Sequence, residues 1–157
     1  MSTAEVFREA MEAYDLDGLI ATLAAGFTLR SPVTGRIAVH GPEEMRELMT
    51  PHLAVVQNVR YFADVGDEHS RAQFYRATVG GLYAEVATRL ELDDEGKVRD
   101  VTVYVRPLPA LVAMAAGLVV PIARGRHGAF RAFVARLMTS SLAWVTRLGD
   151  RCVTWFA

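Results

Sequence analysis

The run LELDDEGKVRDVTVYV, Leu90 to Val105, alternates apolar and polar side chains on both sides of the acidic turn Asp93-Asp94-Glu95-Gly96. Period two around such a turn is the pattern of two paired strands with one face buried. A hairpin of this kind is marginal alone, so its apolar face needs further strands and a cover. The rest of the chain supplies both.

Upstream, Ser2 and Glu5 have the spacing of a capping box, and Val6, Phe7, Ala10, Met11 and Tyr14 recur at three and four residues, which predicts a first helix with one apolar stripe. Asp15 caps a second, short helix through Leu16, Leu19, Ile20 and Leu23 that is expected to end near Gly26. Phe27 to Ser31 reads as a strand closed by Pro32 and Gly35. Gly41, with Pro42 at the first helical position and Glu43 and Glu44 behind it, opens a third helix to about Leu53. Strands are then expected at Val59 to Val65, Ser70 to Val79, Leu82 to Leu92 and Val98 to Arg106, with Gly80-Gly81 as a tight turn. Helices first and a mostly antiparallel sheet after them make an α+β plan.

At 157 residues, 52% of them hydrophobic and 22% charged, the chain is long enough to bury a continuous core. Cys152 is the single cysteine, which excludes an intrachain disulfide and a thiolate metal cluster and fits a reducing cytoplasm. The opening residues carry Glu5, Arg8, Glu9 and Glu12 where a secretory signal needs an apolar run, so a cytoplasmic location is expected.

The hairpin, AMEAYDLDGLIATLAAGFTLRSPVTGR near the start and HGPEEMRELM soon after it together resemble the nuclear transport factor 2-like superfamily, over roughly Val6 to Pro107. That superfamily includes ketosteroid isomerase, limonene epoxide hydrolase and the SnoaL-like polyketide cyclases. The resemblance implies a cone: a curved sheet wrapped around the N-terminal helices, with an apolar pocket between them. It also implies a test. At the three positions where ketosteroid isomerase carries its base and its two oxyanion donors, this chain has Ser31, Phe7 and Thr88. Serine is no unaided base, phenylalanine has no donor and threonine is a weak neutral one, so that acid/base route is absent. Near the Arg-x-Asp pair of limonene epoxide hydrolase stands Arg71-Ala72-Gln73, and Val103 stands near its last aspartate. An amide holds a water without taking its proton.

Strand parity sorts the interior. With Thr88, Val86, Leu90 and Leu92 inward, Arg71, Gln73, Tyr75, Ala77 and Val79 turn inward on the preceding strand, and Val101, Val103 and Val105 on the last. The candidate ligand-binding set is Phe7, Met11, Ser31, Met45, Met49, Gln73, Tyr75, Thr88 and Val101, apolar walls with a few polar groups for orientation. An equally weighted alternative makes these residues core or rim. Tyr75 and Arg71 are the candidates for polarising an oxygen, and Asp64 for a base if its side chain turns inward; the period from Val59 to Asp67 is too irregular to decide. The expected occupant is a small apolar or polycyclic molecule. It is either turned over by a cyclase, isomerase or hydratase, or held by a non-catalytic module.

No metal and no other cofactor is expected. His40, His52, His69 and His127 lie on separate elements without ligand spacing, and no glycine-rich phosphate loop is present. Up to Arg106 there are 11 Lys and Arg against 17 Asp and Glu, a balance of -6; from Pro107 onward six Arg face Asp150, a balance of +5. The acidic body argues against nucleic acid as a partner. The tail, residues 108–157, reads as a helical hairpin appended to a domain of residues 1–107. Leu108 to Ala123 is uncharged, and Phe130, Phe133, Val134, Leu137, Met138, Ser141, Trp144, Val145 and Leu148 line one face beyond an Arg-rich connector. Three destinations stay open for it: packing on the domain or a second subunit, a lid over the pocket, or peripheral membrane contact through its arginines. A homodimer is expected, paired through an outer sheet face that offers Tyr83, Thr102 and Tyr104.

Overall fold

In the computed structural model, which describes residues 1–33, 35 and 38–117, the predicted capping box opens helix α1 (Thr3–Ala13). The Ser2 hydroxyl accepts from Glu5 N–H at 3.3 Å and the Glu5 carboxylate accepts from Ser2 N–H at 2.7 Å, so two amides without helical partners are satisfied. Tyr14 ends the helix in the left-handed conformation, at φ 58°. Asp15 then caps α2 (Leu16–Ala21) by accepting from Gly18 N–H at 2.9 Å.

The second helix is shorter than expected. It stops at Ala21 and not near Gly26, because the Thr22 hydroxyl turns back onto the Leu19 carbonyl at 2.6 Å and Leu23 already opens strand β1 (Leu23–Arg30). Leu23 pairs with Val98; the register then shifts before Thr28, and Ala25 and Gly26 lie exposed in the shifted stretch. A bulge of small residues hid the first half of this strand, since Ala-Ala-Gly has no alternation to read. The strand expected at Phe27 to Ser31 therefore begins earlier and ends at Arg30, leaving Ser31 outside it.

A three-residue strand, β2 (Ala38–His40), leads into α3 (Gly41–Val55), which continues past Leu53 with Pro51 inside it. Four longer strands follow: β3 (Val56–Gly66), β4 (Ser70–Val79), β5 (Leu82–Leu92) and β6 (Val98–Arg106). The turn between β4 and β5 falls on Gly80 and Gly81, both at positive φ, as the glycine pair predicts. The sheet runs β2-β1-β6-β5-β4-β3, antiparallel throughout except where β1 lies parallel to β6. The α+β architecture and the curved, mostly antiparallel sheet around N-terminal helices are thus present.

Edge strand β3 carries the irregularity that the sequence hinted at. Its register against β4 shifts between Gln57 and Arg60 and again between Tyr61 and Ala63. Phe62 is the extra residue of the second shift, so Tyr61 and Asp64, three apart, both face inward. Helix α1 and its C-cap take up two of the strand's amides: the Tyr14 hydroxyl accepts from Val59 N–H at 3.3 Å and the Glu12 carboxylate from Tyr61 N–H at 2.7 Å.

Two apolar clusters fill the inner side. One joins α1, α2, α3 and β1 to Leu90, Val98 and Val101. The other joins Val56, Val59, Tyr75, Val79, Ala84 and Val86 to Ala110 and Met114, and Tyr61 packs against both. Residues 108–117 are helical, and they lie against β3, β4 and β5 through Ala110 and Met114, with Val112 also buried. Their approach to α3 is close: a Cβ on Gly117 would lie 2.6 Å from a Val55 methyl. The rest of the expected helical hairpin, with its Phe130 to Leu148 face and its arginines, lies outside the described residues. So does its choice among packing, lid and membrane. Among the described residues no helix is long and apolar enough to cross a membrane.

Candidate functional site

Asp64 and Gln73 are cross-strand partners on the inner faces of β3 and β4, and Arg71 precedes Gln73 by two on the same face. The three side chains meet. Arg71 donates to Asp64 Oδ1 from Nε at 2.9 Å and from Nη2 at 2.8 Å, while Gln73 Nε2 donates to Asp64 Oδ2 at 3.1 Å. Arg8, on α1, brings its guanidinium to 3.9 Å from the same Oδ2. The Asp64 side chain is only 8% exposed and Arg71 is 25% exposed, so this is a largely desolvated ion pair next to apolar packing. Such a pair must be well hydrogen-bonded to persist, and it is.

Gln73 is fully buried and ties the sheet to α1, because its Nε2 also donates to the Ala4 carbonyl at 2.8 Å. Beyond it lie two tyrosines. Tyr61 and Tyr75 are cross-strand partners whose rings sit 4.9 Å apart at 46°. Burial raises the Tyr75 phenol above its usual range. Burial first, then Tyr75 and the Glu12 carboxylate, push Tyr61 well above its own, so both phenols stay protonated. The interior therefore holds a polar strip, Arg71–Asp64–Gln73, that continues to Tyr61 between the two apolar clusters.

Arg71, Gln73, Asp64 and Tyr75 are accordingly brought together from the predicted set, and Asp64 does turn inward. Thr88 is buried opposite Gln73, but its hydroxyl donates to the Gln73 carbonyl at 3.3 Å and is spent on the main chain. Phe7, Met11, Met45, Met49 and Val101 are buried together in the first cluster. Ser31 stands apart: past the end of β1, its hydroxyl accepts from Val33 N–H at 3.2 Å in the following turn. His40 caps α3 with its main chain, its N–H donating to Glu44 at 3.0 Å. Tyr61, Arg8 and Glu12 were missed. The bulge at Phe62 concealed Tyr61, and no sequence pattern pairs a helix arginine with a carboxylate on a distant strand.

Two shallow surface hollows border the sheet. One, of about 410 Å³, is lined mostly by the outward residues Val65, Ala72, Phe74, Ala87, Arg89 and Tyr104, with Arg71 and Thr88 also at its wall. The other, of about 500 Å³, lies between the β1 bulge and the Asp93 turn. As a base, Asp64 is poorly placed: both of its oxygens already accept from Arg71 and Gln73. Its arrangement suits binding and orientation.

No family model and no curated protein matches the chain. Solved structures do. A bacterial protein of cystatin-like fold from Silicibacter pomeroyi is 21% identical with a TM-score of 0.70, over 74% of this chain and 82% of its own. A steroid delta-isomerase from Pseudomonas aeruginosa is 22% identical with a TM-score of 0.70, over 78% and 90%. An NTF2-like protein from Cytophaga hutchinsonii is 16% identical with a TM-score of 0.57, over 68% and 89%. At these identities the likeness is one of fold.

Proposed function

From the premise that this chain has the nuclear transport factor 2-like fold, we propose that it binds a small apolar or polycyclic molecule inside the cone. The observation that carries the reading is the Asp64–Arg71–Gln73 group. A charged pair kept at the inner face of an apolar sheet is costly beside a hydrophobic replacement, and orienting a ligand is a reason to retain one. Phe7, Met11, Met45, Met49 and Val101 supply the apolar walls, and the methionines can repack around an occupant.

Binding without turnover is favoured over a SnoaL-like cyclase, isomerase or hydratase, because Ser31 and Thr88 are engaged with the main chain and each oxygen of Asp64 already accepts a hydrogen bond, from Arg71 or from Gln73. The homodimer belongs to the same proposal. Phe62, Val65, Tyr83 and Tyr104 are more than half exposed on the outer sheet face. The flanking ion pairs, Arg76 and Arg106 on Glu85 and Arg89 and Arg99 on Glu91, are already made within the chain. A second copy would then bury an apolar centre inside a paired polar rim.

The test of binding is chemical. Solvent extraction of the purified full chain, read by mass spectrometry, should release a low-mass apolar molecule that rebinds in calorimetry and binds more weakly to Asp64→Asn. An empty extract, with no thermal shift from a panel of terpenoid and polyketide probes, would overturn the reading.

A further inference from the structure

We propose that Tyr61 and Gln73 form the recognition pair of the interior site and that they select a neutral alcohol over the corresponding ketone. This rests on the binding reading above and deepens it to a ligand class. Among the described residues, two buried side-chain atoms have no hydrogen-bond partner, Tyr61 Oη and Gln73 Oε1. Buried polar atoms in folded proteins are nearly always paired, so two orphans on one interior face call for partners that the described residues do not supply.

The orientation of the Gln73 amide follows from its neighbours. Both atoms that its nitrogen reaches, the Ala4 carbonyl and Asp64 Oδ2, are acceptors, so the NH2 group must face them. That leaves Oε1 as an acceptor in need of a donor. Tyr61 is protonated and offers its own O–H as a donor. Register places the two side chains on the same face, since Tyr61 pairs with Tyr75 and Gln73 lies two residues along β4.

Charge narrows the class. Asp64 and Glu12 are the carboxylates facing this region, and Arg71 and Arg8 are the guanidiniums, so the charges balance and an ionic ligand finds no net partner. A hydroxyl on an apolar frame answers both orphans: its proton goes to Gln73 Oε1 and its lone pair accepts from Tyr61. A ketone accepts from Tyr61 but leaves Gln73 Oε1 unpaired. Buried sites reject analogues that leave a polar group unpaired.

The experiment uses the full chain and a matched pair, 2-decalol and 2-decalone, titrated by calorimetry. The alcohol should bind about tenfold more tightly or better. Tyr61→Phe should bring the two affinities to within about twofold, with its unfolding midpoint unchanged or higher in the absence of probe because an orphan has been removed. Gln73→Met should erase the preference likewise; if it fails to fold, Tyr61→Phe decides alone. Equal affinities in the wild type, as expected if the two atoms hold only a water, would overturn the inference while leaving the binding reading intact. So would a preference that survives Tyr61→Phe. Binding of neither probe would also overturn the inference, and the extraction and probe panel above then decide the binding reading separately.

Discussion

A carboxylate inside a folded chain is defined by what it touches, and Asp64 touches Arg71 and Gln73 directly, with Arg8 close by. Removing one partner of such a pair leaves a charge that water reaches poorly. Arg71→Leu should therefore destabilise the fold by about 3 kcal/mol in urea titration, the low end of the range for broken buried pairs because Arg71 is partly exposed. The double variant Arg71→Leu/Asp64→Leu should cost less than the sum of the two single changes, since the second removes the stranded charge. An additive result would mean that water satisfies Asp64 from the rim.

At the scale of elements, the β3–β4 hairpin is what aligns Asp64 with Arg71 and Gln73, and Gly66 is its tightest point. A Cβ there would lie 2.1 Å from the Ser70 carbonyl oxygen at a φ of 141°. That clash is with main chain, so Gly66→Ala should cost more than about 2 kcal/mol. The nearest atoms to a Cβ on Gly117 are side-chain atoms of Val55, its two methyls closest, and Gly117→Ala should be milder, about 1 to 3 kcal/mol, and largely rescued by Val55→Ala. Thermal unfolding of the single and double variants checks that contact between α3 and the helix at 108–117. On α3 itself, burial lowers the His52 imidazole to about 4 from 6.5. It is neutral in the fold, so the unfolded chain binds the extra proton, and stability falls as pH drops from 6.5 towards 4. The residue is only half-buried, which makes about 3 kcal/mol the upper value for this loss. His52→Gln should flatten denaturation free energy across that window; an unchanged slope would assign the acid lability elsewhere.

For the whole molecule, the start of the tail belongs to the core. Ala110 and Met114 are buried against Val56, Val59, Val79 and Val86, so truncation after Pro107 uncovers apolar surface on β3, β4 and β5. The shortened chain should aggregate or lose its cooperative transition, and Met114→Ala in the full chain should cost about 2 to 5 kcal/mol. A soluble truncated domain with an unchanged midpoint would detach the tail from the fold. Light scattering tests the proposed dimer in turn: Tyr104→Glu on the outer sheet face should yield a monomer, and a monomeric wild type removes that interface from the proposal.

Local pattern was enough wherever one physical rule acted alone. The capping box at Ser2, the strands β4, β5 and β6, their inward sets and the glycine turn at residues 80 and 81 could all be read from periodicity and turn chemistry, because side-chain alternation in a regular strand is set by the backbone. It failed where register shifts, at Leu23 to Thr28 and at Phe62, since a bulge resets parity without leaving a residue-type signature. Gln73, Tyr75 and Arg71 were thus legible as inward residues. That Asp64 joins them, that Tyr61 stands beside them with its hydroxyl unpartnered, and that Ser31 and Thr88 are spent on the main chain were decided by tertiary structure. Pairing between strands and the contact of α1 with the sheet depend on residues far apart in the chain, and single-chain periodicity carries no term for them.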